Sequence, residues 1–582
     1  MVMGKIKKRD ISSFIISFLI LILINFIASY AFFRWDLTSE KRYSISAPTK
    51  KMLDELDDNV YVKVYLEGND LPSAMLRLRN EIREMLSEFK VYSSGHLDFE
   101  FINPSENPNR KERDRVYKNL YDKGLRPTDI EISEGSGISK KLIWPGALIS
   151  YQDKEMPVEL LKSQFGAPPH EVLRQSIESI EYGLASTIKT ITQEHLKRVA
   201  FIEGHGELNQ YETADIVSSL KEFYEVSRVP INGNLSALSK RVFTSRDSSK
   251  VQIVNNYDLI IIADPDSTFD EKDKFIIDQY IMYGGKVIWL IDQVEADMDS
   301  LQNKNMSMGI AKSLNLDDQF FKYGVRINYD LIQDLQAAPI PIVSGQFGNQ
   351  VQTQLYPWLF YPLISSRDNH PINKNVDVVR AKFANSIDFV GGENLKRTTI
   401  LSTSNHTKLI KAPARISLNM VNFKPPKEQF KKSNVPIGVL IEGEFTSVFE
   451  NRLTLQITDA GEIKFKEKSP KTQMVFFSDG DIIKNRYNPK TEEYYALGYD
   501  RYTRQLYGNK NLFMNTINYL LDESGLILSN NKSFKIRLLD QQYIENNYLS
   551  IQLLNTLLPI VLILGLGVTF HFIRKRKYTV KS

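Results

Sequence analysis

The chain contains no cysteine among its 582 residues. A disulfide framework, a thiol nucleophile and a cysteine-ligated metal are therefore excluded together. The seven histidines include neither an H-E-x-x-H motif nor a close pair, and no P-loop sequence occurs. The chain therefore lacks the motifs of the common zinc peptidases and of the P-loop ATPases.

Excess charge of one sign is also absent from most of the chain. The formal net charge is +4, but residues 1–10 carry +3 and residues 573–582 carry +5, so the remainder carries −4. A slightly acidic region has no electrostatic footprint for nucleic acid. We therefore expect no nucleic-acid partner.

Two long apolar segments lie near the ends of the chain. Residues 11–33 contain no charged residue, and residues 553–573 contain few polar ones. At 1.5 Å per helical residue, each segment is long enough to cross a hydrocarbon core of about 30 Å. The first segment is too long for a cleaved signal peptide and lacks a clear A-x-A site, so we interpret it as a signal anchor.

Basic residues next to both apolar segments predict a two-pass topology. Four of them lie between residues 5 and 9, and Arg574, Lys575, Arg576 and Lys577 follow the second segment. The positive-inside rule then places both termini in the cytoplasm and residues 34–552 outside. Arg34 and Trp35 suit the first membrane interface as anchors, although the same segment is also interpretable as a linker with a capped helix.

The region between the two segments has the pattern of an α/β protein. Strand-like and helical segments alternate from residue 59, and a long helix with an apolar stripe covers residues 170–192. The predicted organisation is a basic N-terminus (1–10), a transmembrane helix (11–33), a juxtamembrane segment (34–58), a small α/β domain (59–169), a linking helix (170–195), a larger α/β domain (196–530), a second juxtamembrane segment (531–552), a second transmembrane helix (553–573) and a basic tail (574–582).

The larger domain begins with the strand-like RVAFIE, residues 198–203, and continues with nearly continuous apolar strands at 257–267 and 286–292. Such strands alternating with helices predict a doubly wound parallel sheet of the flavodoxin-like or Rossmann-like kind. Between about residues 293 and 398 the pattern becomes irregular.

The first strand of this domain ends in the turn Gly204, His205, Gly206 and Glu207. A dinucleotide fingerprint would need a third glycine where Asn209 stands, so nucleotide binding is disfavoured. His205 and Glu207 have the residue types of an acid/base pair, but no G-x-S-x-G motif and no cysteine supplies a nucleophile. The glycines predict a tight turn.

Four acids follow other predicted strands of the same sheet, namely Asp264, Asp292, Asp479 and Asp481. Because the carboxyl ends of parallel strands lie along one edge, these acids are candidates to converge with His205 on a ligand-binding rim, or on a metal. The alternative is that they cap helices and turns, as the sequences DPDSTFDE and SDGD suggest. The rim prediction comprises Gly204, His205, Gly206, Glu207 and these four acids, with no catalytic residue, metal or cofactor.

Several segments together resemble one family. The sequences DLTSEKRYSIS after the first apolar segment, FIEGHGE, MVFFSDGDII and LGYDRYTRQLYGNKNLFMNTINYLLDESGLI are similar to those of the gliding motility-associated ABC transporter substrate-binding protein family, GldG. The resemblance extends over nearly the whole chain.

This resemblance implies a non-enzymatic accessory subunit in the inner membrane of gliding Bacteroidota, with residues 34–552 in the periplasm. Separate permease and ATPase subunits would be its partners, together with the lipid bilayer. Two alternatives stay open: a membrane-tethered hydrolase or ligand-sensing enzyme centred on the GHGE turn, and a structural scaffold. The sequence also leaves open whether the chain forms a homodimer within the complex.

Overall fold

Two strand–helix–strand patterns in the sequence, near residues 60 and 198, become two sheets in the computed structural model. The structure describes residues 12–23, 25, 44–68, 71–134, 137–162, 168–243, 251–301, 304, 306–347, 350–365, 370–391, 394–423, 425–452, 464–527 and 541–579. These divide into two units, residues 1–532 and residues 533–582.

The first part of the chain forms a four-stranded sheet. The helices and strands before residue 195 are α1 (Ser12–Leu23), α2 (Ala47–Asp54), β1 (Val60–Val64), α3 (Ser73–Tyr92), β2 (Leu97–Phe101), α4 (Arg110–Asp122), β3 (Thr128–Glu134), β4 (Gly137–Ile143), β5 (Gly146–Tyr151), β6 (Lys154–Glu159) and α5 (Pro169–Thr192). The sheet has the order β2-β1-β5-β6, and β1 pairs with β2 in parallel. The predicted β–α–β unit is confirmed, because α3 connects these two strands.

Helix α5 corresponds to the predicted linking helix and ends at Thr192. Its apolar stripe, including Ile177, Leu184 and Ile188, is buried, as expected of a helix that packs on both sides. Two polar contacts tie it to distant parts of the chain. Glu181 Oε1 accepts hydrogen bonds from Ser46 and Thr49, and Lys189 Nζ lies 3.2 Å from Asp522 Oδ1.

The second sheet is the centre of the first unit. The elements in and around it begin with β7 (Arg198–Glu203), α6 (Ala214–Leu220), β8 (Glu225–Pro230), β9 (Ser239–Phe243), β10 (Val251–Asn255), β11 (Leu259–Ala263), α7 (Glu271–Met282) and β12 (Lys286–Leu290). They resume after residue 395 with β21 (Lys396–Ser402), β22 (Thr407–Lys411), β23 (Ala414–Ser417), β24 (Pro436–Thr446), β25 (Lys468–Phe477), β26 (Tyr487–Asn488), β27 (Glu493–Tyr494), β28 (Tyr499–Asp500), β29 (Gln505–Leu506) and α9 (Asn509–Leu521). Strands β9 and β10, like β26 to β29, pair in small hairpins.

The seven strands of this sheet lie in the order β21-β24-β25-β12-β11-β7-β8. Five of them pair in parallel and have the order 2-1-3-4-5 along the chain, while β24 runs antiparallel between β25 and β21. The predicted parallel pairing is therefore correct for five strands and wrong at the β24 edge, where antiparallel pairing of a common kind adds the last two strands. Helix α7 packs on one face of the sheet, and α6 and α9 pack on the other.

Residues 293–395, which we call the insert, interrupt this sheet between β12 and β21. The insert contains β13 (Val294–Glu295), β14 (Met306–Ala311), α8 (Asp317–Lys322), β15 (Val325–Ile327), β16 (Asp330–Asp334), β17 (Ala337–Phe347), β18 (Gln350–Ile364), β19 (Val379–Arg380) and β20 (Ile387–Phe389). No regular pattern was apparent in the sequence here, yet eight strands form in the described part of the insert. Prolines at 339, 341, 357 and 362 lie within β17 and β18, and proline argues against a strand when the sequence is read alone.

The second unit contains α10 (Gln541–Asn546) and α11 (Tyr548–Thr579). Among the described residues, α11 is the one helix that is long and apolar enough to cross a membrane, over Tyr548–Arg576. It begins five residues before the predicted span at residue 553, so the predicted juxtamembrane segment 531–552 is partly helical. Helix α1 has 12 residues and is short for a span, and the rest of the predicted segment 11–33, with Arg34 and Trp35, lies mostly outside the described residues.

Candidate functional site

The GHGE turn follows β7 at the carboxyl edge of the central sheet. Gly204 and Gly206 have φ angles of +127° and +75°, in the region that favours glycine. A Cβ atom at residue 206 would lie 1.8 Å from Asp266 Oδ1. The predicted tight turn is confirmed, and its second glycine is needed because the loop after β11 packs directly against it.

His205 lies inside this turn and is 5% exposed. Its ring stacks on Phe269 with a centroid separation of 3.7 Å. Its Nε2 lies 3.1 Å from Asp273 Oδ2, and its Nδ1 lies 3.3 Å from Glu207 Oε1. His205 and Glu207, the residues considered as an acid/base pair, are thus in contact, and Asp273 is a second carboxylate partner that the sequence did not indicate.

These two carboxylates decide the charge of His205. Burial lowers the pKa of the imidazole, but the hydrogen bonds and charges of Asp273 and Glu207 outweigh burial and raise the pKa to about 9. Burial likewise raises the pKa of Asp273, and His205 with the Gly233 N–H outweighs it and lowers that pKa. At neutral pH the ring is therefore a protonated, buried cation, which is the wrong form for a general base.

The four acids of the predicted rim form a second group beside the turn. Asp264 follows β11, Asp292 follows β12, and Asp479 and Asp481 follow β25, as predicted. A Cβ atom at Gly480 would lie 2.6 Å from Asp264 Cβ, and the Gly480 N–H donates to Asp292 Oδ1 at 2.9 Å. The carboxyl ends of three neighbouring strands therefore do bring these acids together.

Three lysines contact this group. Lys312 Nζ lies 2.9 Å from Asp264 Oδ1, Lys382 Nζ lies 3.5 Å from Asp481 Oδ2, and Lys484 Nζ lies 3.4 Å from Asp481 Oδ1. The backbone N–H of Lys382 also donates to Asp479 Oδ2 at 2.7 Å. Lys312 and Lys382 both belong to the insert, so the acids attach the insert to the edge of the sheet.

Burial and lysine contacts give the four acids different proton affinities. Burial raises the pKa of Asp264 and of Asp292, and it raises the pKa of Asp479 to about 8. Burial also acts on Asp481, but Lys382 and Lys484 outweigh it and lower the pKa of that carboxyl. Of the four carboxyl groups, Asp481, next to two ammonium groups, therefore holds its negative charge most readily.

The turn and the acids lie on one edge but do not form one cluster. The loop 264–267 separates them, because the Asp264 carboxylate bonds to Lys312 while the N–H groups of Asp266 and Ser267 donate to the His205 carbonyl. Within the described ranges, no three His, Asp or Glu side chains form a group that could hold a metal ion. The acids and His205 therefore share one edge of the sheet, where His205 contacts Glu207 and Asp273. Ligand binding by this rim stays a prediction.

The insert covers this edge of the sheet. The Asn385 side chain accepts from the Gln293 N–H at 2.7 Å, and its backbone N–H donates to the Ser478 carbonyl at 2.9 Å. Open doubly wound sheets bind ligands in the crevice outside the carboxyl ends of their strands. Here the ends of β12 and β25 are in contact with protein instead.

The capping alternative holds for one of the two acidic loops. In DPDSTFDE, Asp270 caps α7 by accepting from the Asp273 N–H at 2.7 Å. In SDGD, Asp479 precedes a short 3-10 helix but makes no side-chain cap to it, since its carboxylate accepts from Lys382. The second loop is thus part of the contact with the insert.

Comparison with known proteins gives a family for most of the central region. A family model described as an ABC-type uncharacterized transport system matches residues 196–516, which is more than half of the chain. The chain belongs to this family of auxiliary transport components. A domain of unknown function, DUF7088, matches residues 39–150.

Relatives of this auxiliary component add little about chemistry. An uncharacterized protein of Borreliella burgdorferi is 20% identical over 452 residues, covering 77% of this chain and 80% of that protein. A solved structure, the mmIFT52 N-terminal domain, shares 11% identity with a TM-score of 0.30, over 56% of this chain and 99% of that one. A likeness at that level supports no conclusion about fold or function.

Family membership agrees with the accessory role that the resemblance implied, and it implies partner subunits of a transporter.

The membrane-interface residues are placed in part. Arg574, Lys575, Arg576 and Lys577 continue α11 at its end, and the first three are exposed. Arg34 and Trp35 lie outside the described residues.

Proposed function

We propose that the chain is a non-enzymatic, membrane-anchored accessory subunit of an ABC transport complex associated with gliding motility. Separate permease and ATPase subunits would supply the translocation path and the ATP hydrolysis. The observation that carries this proposal is the match of residues 196–516 to a transport-system family in a chain that lacks a P-loop. The enzyme alternative gains no support from the GHGE turn, where both ring nitrogens of His205 face carboxylates.

The proposed topology is two-pass in the inner membrane, with both termini in the cytoplasm and residues 34–552 in the periplasm. The length of α11 and the basic residues after position 573 support the second span. The first span rests on the apolar run at residues 11–33.

We further propose that the periplasmic part is two α/β domains, at 59–169 and 196–530, joined by the linking helix. The family matches at 39–150 and 196–516 fall on either side of α5 and support this division. The strand order 2-1-3-4-5 supports a flavodoxin-like second domain, because that order is typical of the type.

Helix α5 is suited to transmit movement between the two ends of this part. Glu181, in the middle of α5 and 2% exposed, binds Ser46 and Thr49, which lie near the start of the periplasmic part. Lys189, near the end of α5, binds Asp522 and Ser524, which lie near the end of the periplasmic part. A conformational change that enters at either end would therefore act on the same helix. This supports a role in coupling the transporter to work outside the membrane.

Ligand binding by the predicted rim remains a proposal. The rim comprises Gly204, His205, Gly206, Glu207, Asp264, Asp292, Asp479 and Asp481. Since Lys312 and Lys382 of the insert occupy the acids, a ligand would have to displace the insert. Because the chain has no cysteine, Asn385→Cys with Ser478→Cys would place a single disulfide between the insert and the sheet. A ligand that still shifts the melting temperature of the oxidised variant would argue against displacement.

Co-purification tests the main proposal. Tagged full-length chain, extracted from native membranes in mild detergent, should recover the permease and the ATPase in a fixed ratio. Recovery of neither subunit would contradict the proposal.

Topology has its own test with an internal control. Val116→Cys lies on α4 and Tyr578→Cys lies at the end of α11, and each would be the single thiol of the chain. In cells with a permeabilised outer membrane, an impermeant maleimide should label residue 116 at once and residue 578 only after lysis. The reverse pattern would place the termini outside.

A further inference from the structure

Two small hairpins, β26–β27 and β28–β29, form an exposed surface that is rich in tyrosine and arginine. We call residues 486–506 the hairpin surface. Three of its tyrosines, Tyr494, Tyr495 and Tyr502, are 44%, 37% and 46% exposed, and Leu506 is 42% exposed. Tyrosine and arginine are enriched where proteins bind one another, because each combines a large contact area with hydrogen-bonding groups. The hairpin surface therefore has the composition of a protein interface.

Ring contacts make this surface continuous. Tyr487 and Tyr494 pair across β26 and β27, and the Tyr487 ring stacks on Tyr211 with a centroid separation of 4.7 Å. The rings of Tyr495 and Tyr499 stack at 6.1 Å and so join the first hairpin to the second. Because Tyr211 lies between β7 and α6, the surface reaches the carboxyl edge of the central sheet.

The turn of the second hairpin, residues 501–504, is held in place by one carboxylate. Asp500 Oδ1 accepts from the N–H groups of Tyr502 at 2.8 Å and of Thr503 at 3.1 Å. The other oxygen of Asp500 accepts from Arg380 at 2.6 Å, which attaches the turn to the insert. The Arg501 guanidinium lies 4.5 Å from the centroid of the Tyr502 ring. A turn that is ordered in this way loses little conformational freedom when a partner binds.

The hairpin surface carries positive charge that is not paired. In the part of the chain that the structure describes, Arg486, Arg501 and Arg504 form no salt bridge. Asp500, the acid next to the turn, already pairs with Arg380. A guanidinium presents a planar set of N–H donors that matches a carboxylate through two parallel hydrogen bonds. The unpaired arginines therefore favour an acidic partner.

The other acids of the surface do not cancel this charge. Glu492 and Glu493 lie at the turn of the first hairpin, where Lys490 is also located. The excess positive charge is therefore on the second hairpin, at Arg501 and Arg504.

The direction of α9 shows which side of the sheet this surface occupies. It precedes α9, whose 13 residues span about 20 Å. At the end of α9, the Leu520 carbonyl accepts from Lys286 Nζ at the start of β12, and Glu523 pairs with Lys197 just before β7. The chain thus continues towards α11 from the amino edge of the sheet, whereas the hairpin surface is at the carboxyl edge. This position favours a protein segment over a lipid headgroup as the partner.

We propose that the hairpin surface docks an extended acidic segment of another subunit of the transport complex. Carboxylates of the segment pair with Arg501 and Arg504, and its remaining side chains cover Tyr495, Tyr502 and Leu506. That the partner is a transporter subunit rests on the proposed function, whereas the acidic chemistry of the partner does not.

A site-specific reporter tests the charge of the partner. Because the chain has no cysteine, Leu506→Cys carries a single thiol for a bimane fluorophore, which does not report binding at the basic termini. The probe is deca-glutamate, titrated at low salt into the full chain in detergent. We expect a saturable change in fluorescence at residue 506, and none when the label is on Val116→Cys of α4. No saturable change at residue 506 would overturn the proposal.

Matched arginine variants test whether this binding is specific. Arg501→Ala with Arg504→Ala should weaken binding of the probe at least tenfold. Arg110→Ala with Arg115→Ala removes the same charge from α4, where the two side chains are 87% and 78% exposed, and should change binding by less than twofold. Equal unfolding midpoints would show that both double variants fold. Equal weakening in both would show general attraction between charges and would overturn the proposal.

Two other polyanions test the choice of a peptide. Polygalacturonate and phosphatidylglycerol vesicles are titrated into the same labelled chain at matched concentrations of anionic groups. Each should need a higher concentration than deca-glutamate to give half of the fluorescence change. A lower half-saturating concentration for either one would overturn the choice of an acidic protein segment.

A photo-crosslinker tests the partner in native membranes. p-Benzoylphenylalanine would replace Tyr502 in the full chain, with Tyr121 on α4, 54% exposed, as the control position. We expect an adduct from residue 502, and none from residue 121, that maps to an acidic segment of the permease. A complex that co-purifies but yields no adduct at residue 502, or an adduct in a segment without acids, would overturn this docking surface and leave the accessory role standing.

Discussion

Lys312 of the insert and Asp264 at the end of β11 form a salt bridge of 2.9 Å, although they are 48 residues apart in the chain. Asp264 adopts a φ of +49°, which is unusual for a residue other than glycine. Both side chains are largely buried. The pair therefore marks the place where the carboxyl edge of the central sheet, normally open, is joined to the insert.

Lys312→Met should destabilise the first unit by about 2 kcal/mol. The loss is smaller than the roughly 3 to 5 kcal/mol of a broken, fully buried pair, because burial already raises the pKa of Asp264 and lets it take up a proton. Urea unfolding of the full chain in detergent, followed by tryptophan fluorescence, measures the change. Lys396→Met is the control, since that lysine pairs with Glu442 while 71% exposed, and it should change stability by less than about 1 kcal/mol. An equal loss in both variants would mean that burial of the pair is unimportant.

Gly206→Ala should destabilise the chain more than Gly95→Ala. Both glycines have positive φ, so both alanine variants carry backbone strain of about 1 to 2 kcal/mol. A Cβ atom at residue 206 also meets Asp266 at 1.8 Å, whereas nothing lies within 4 Å at residue 95. The difference between their unfolding midpoints therefore isolates the contact with Asp266. Equal midpoints would contradict the close packing of the GHGE turn.

The stability of the chain should depend on pH through His205. Because its folded-state pKa is raised from 6.5 to about 9, its stabilisation is complete below pH 6.5 and is lost as the pH rises through 9. The corresponding loss is about 3 kcal/mol. His205→Gln should remove this part of the pH dependence, as measured by unfolding midpoints from pH 6 to 10. An unchanged slope in the variant would show that the ring is neutral in the folded chain.

Glu181→Ala should loosen α2 from the linking helix. The Glu181 carboxylate accepts from the Ser46 N–H at 2.6 Å and from the Thr49 hydroxyl at 2.9 Å. Hydrogen exchange of residues 46–54 should accelerate by about tenfold, which corresponds to roughly 1.4 kcal/mol of lost protection. Glu181→Gln keeps an acceptor oxygen and should preserve most of the protection. Exchange that is the same in all three proteins would contradict a role for Glu181 in holding α2.

The fold was predictable where the pattern is local. The apolar stripe of α5 predicts which of its residues are buried. The uninterrupted apolar strands β11 and β12 predict a sheet that is covered on both sides. Prediction failed in β17 and β18, because both contain prolines and a proline argues against a strand when the sequence is read alone.

The residue types at the edge of the sheet were likewise determined by the sequence. Acids after three strands, and two glycines around His205, follow from where each strand ends. The ion-pair partners of these residues were not determined by the sequence, because Asp273 is 68 residues from His205 and Lys382 is 99 residues from Asp481. Ion pairs form between opposite charges that are close in space, and only the tertiary structure brings Lys312 and Lys382 close to the acids of the sheet. That structure turned a predicted open rim into a contact between the sheet and its insert.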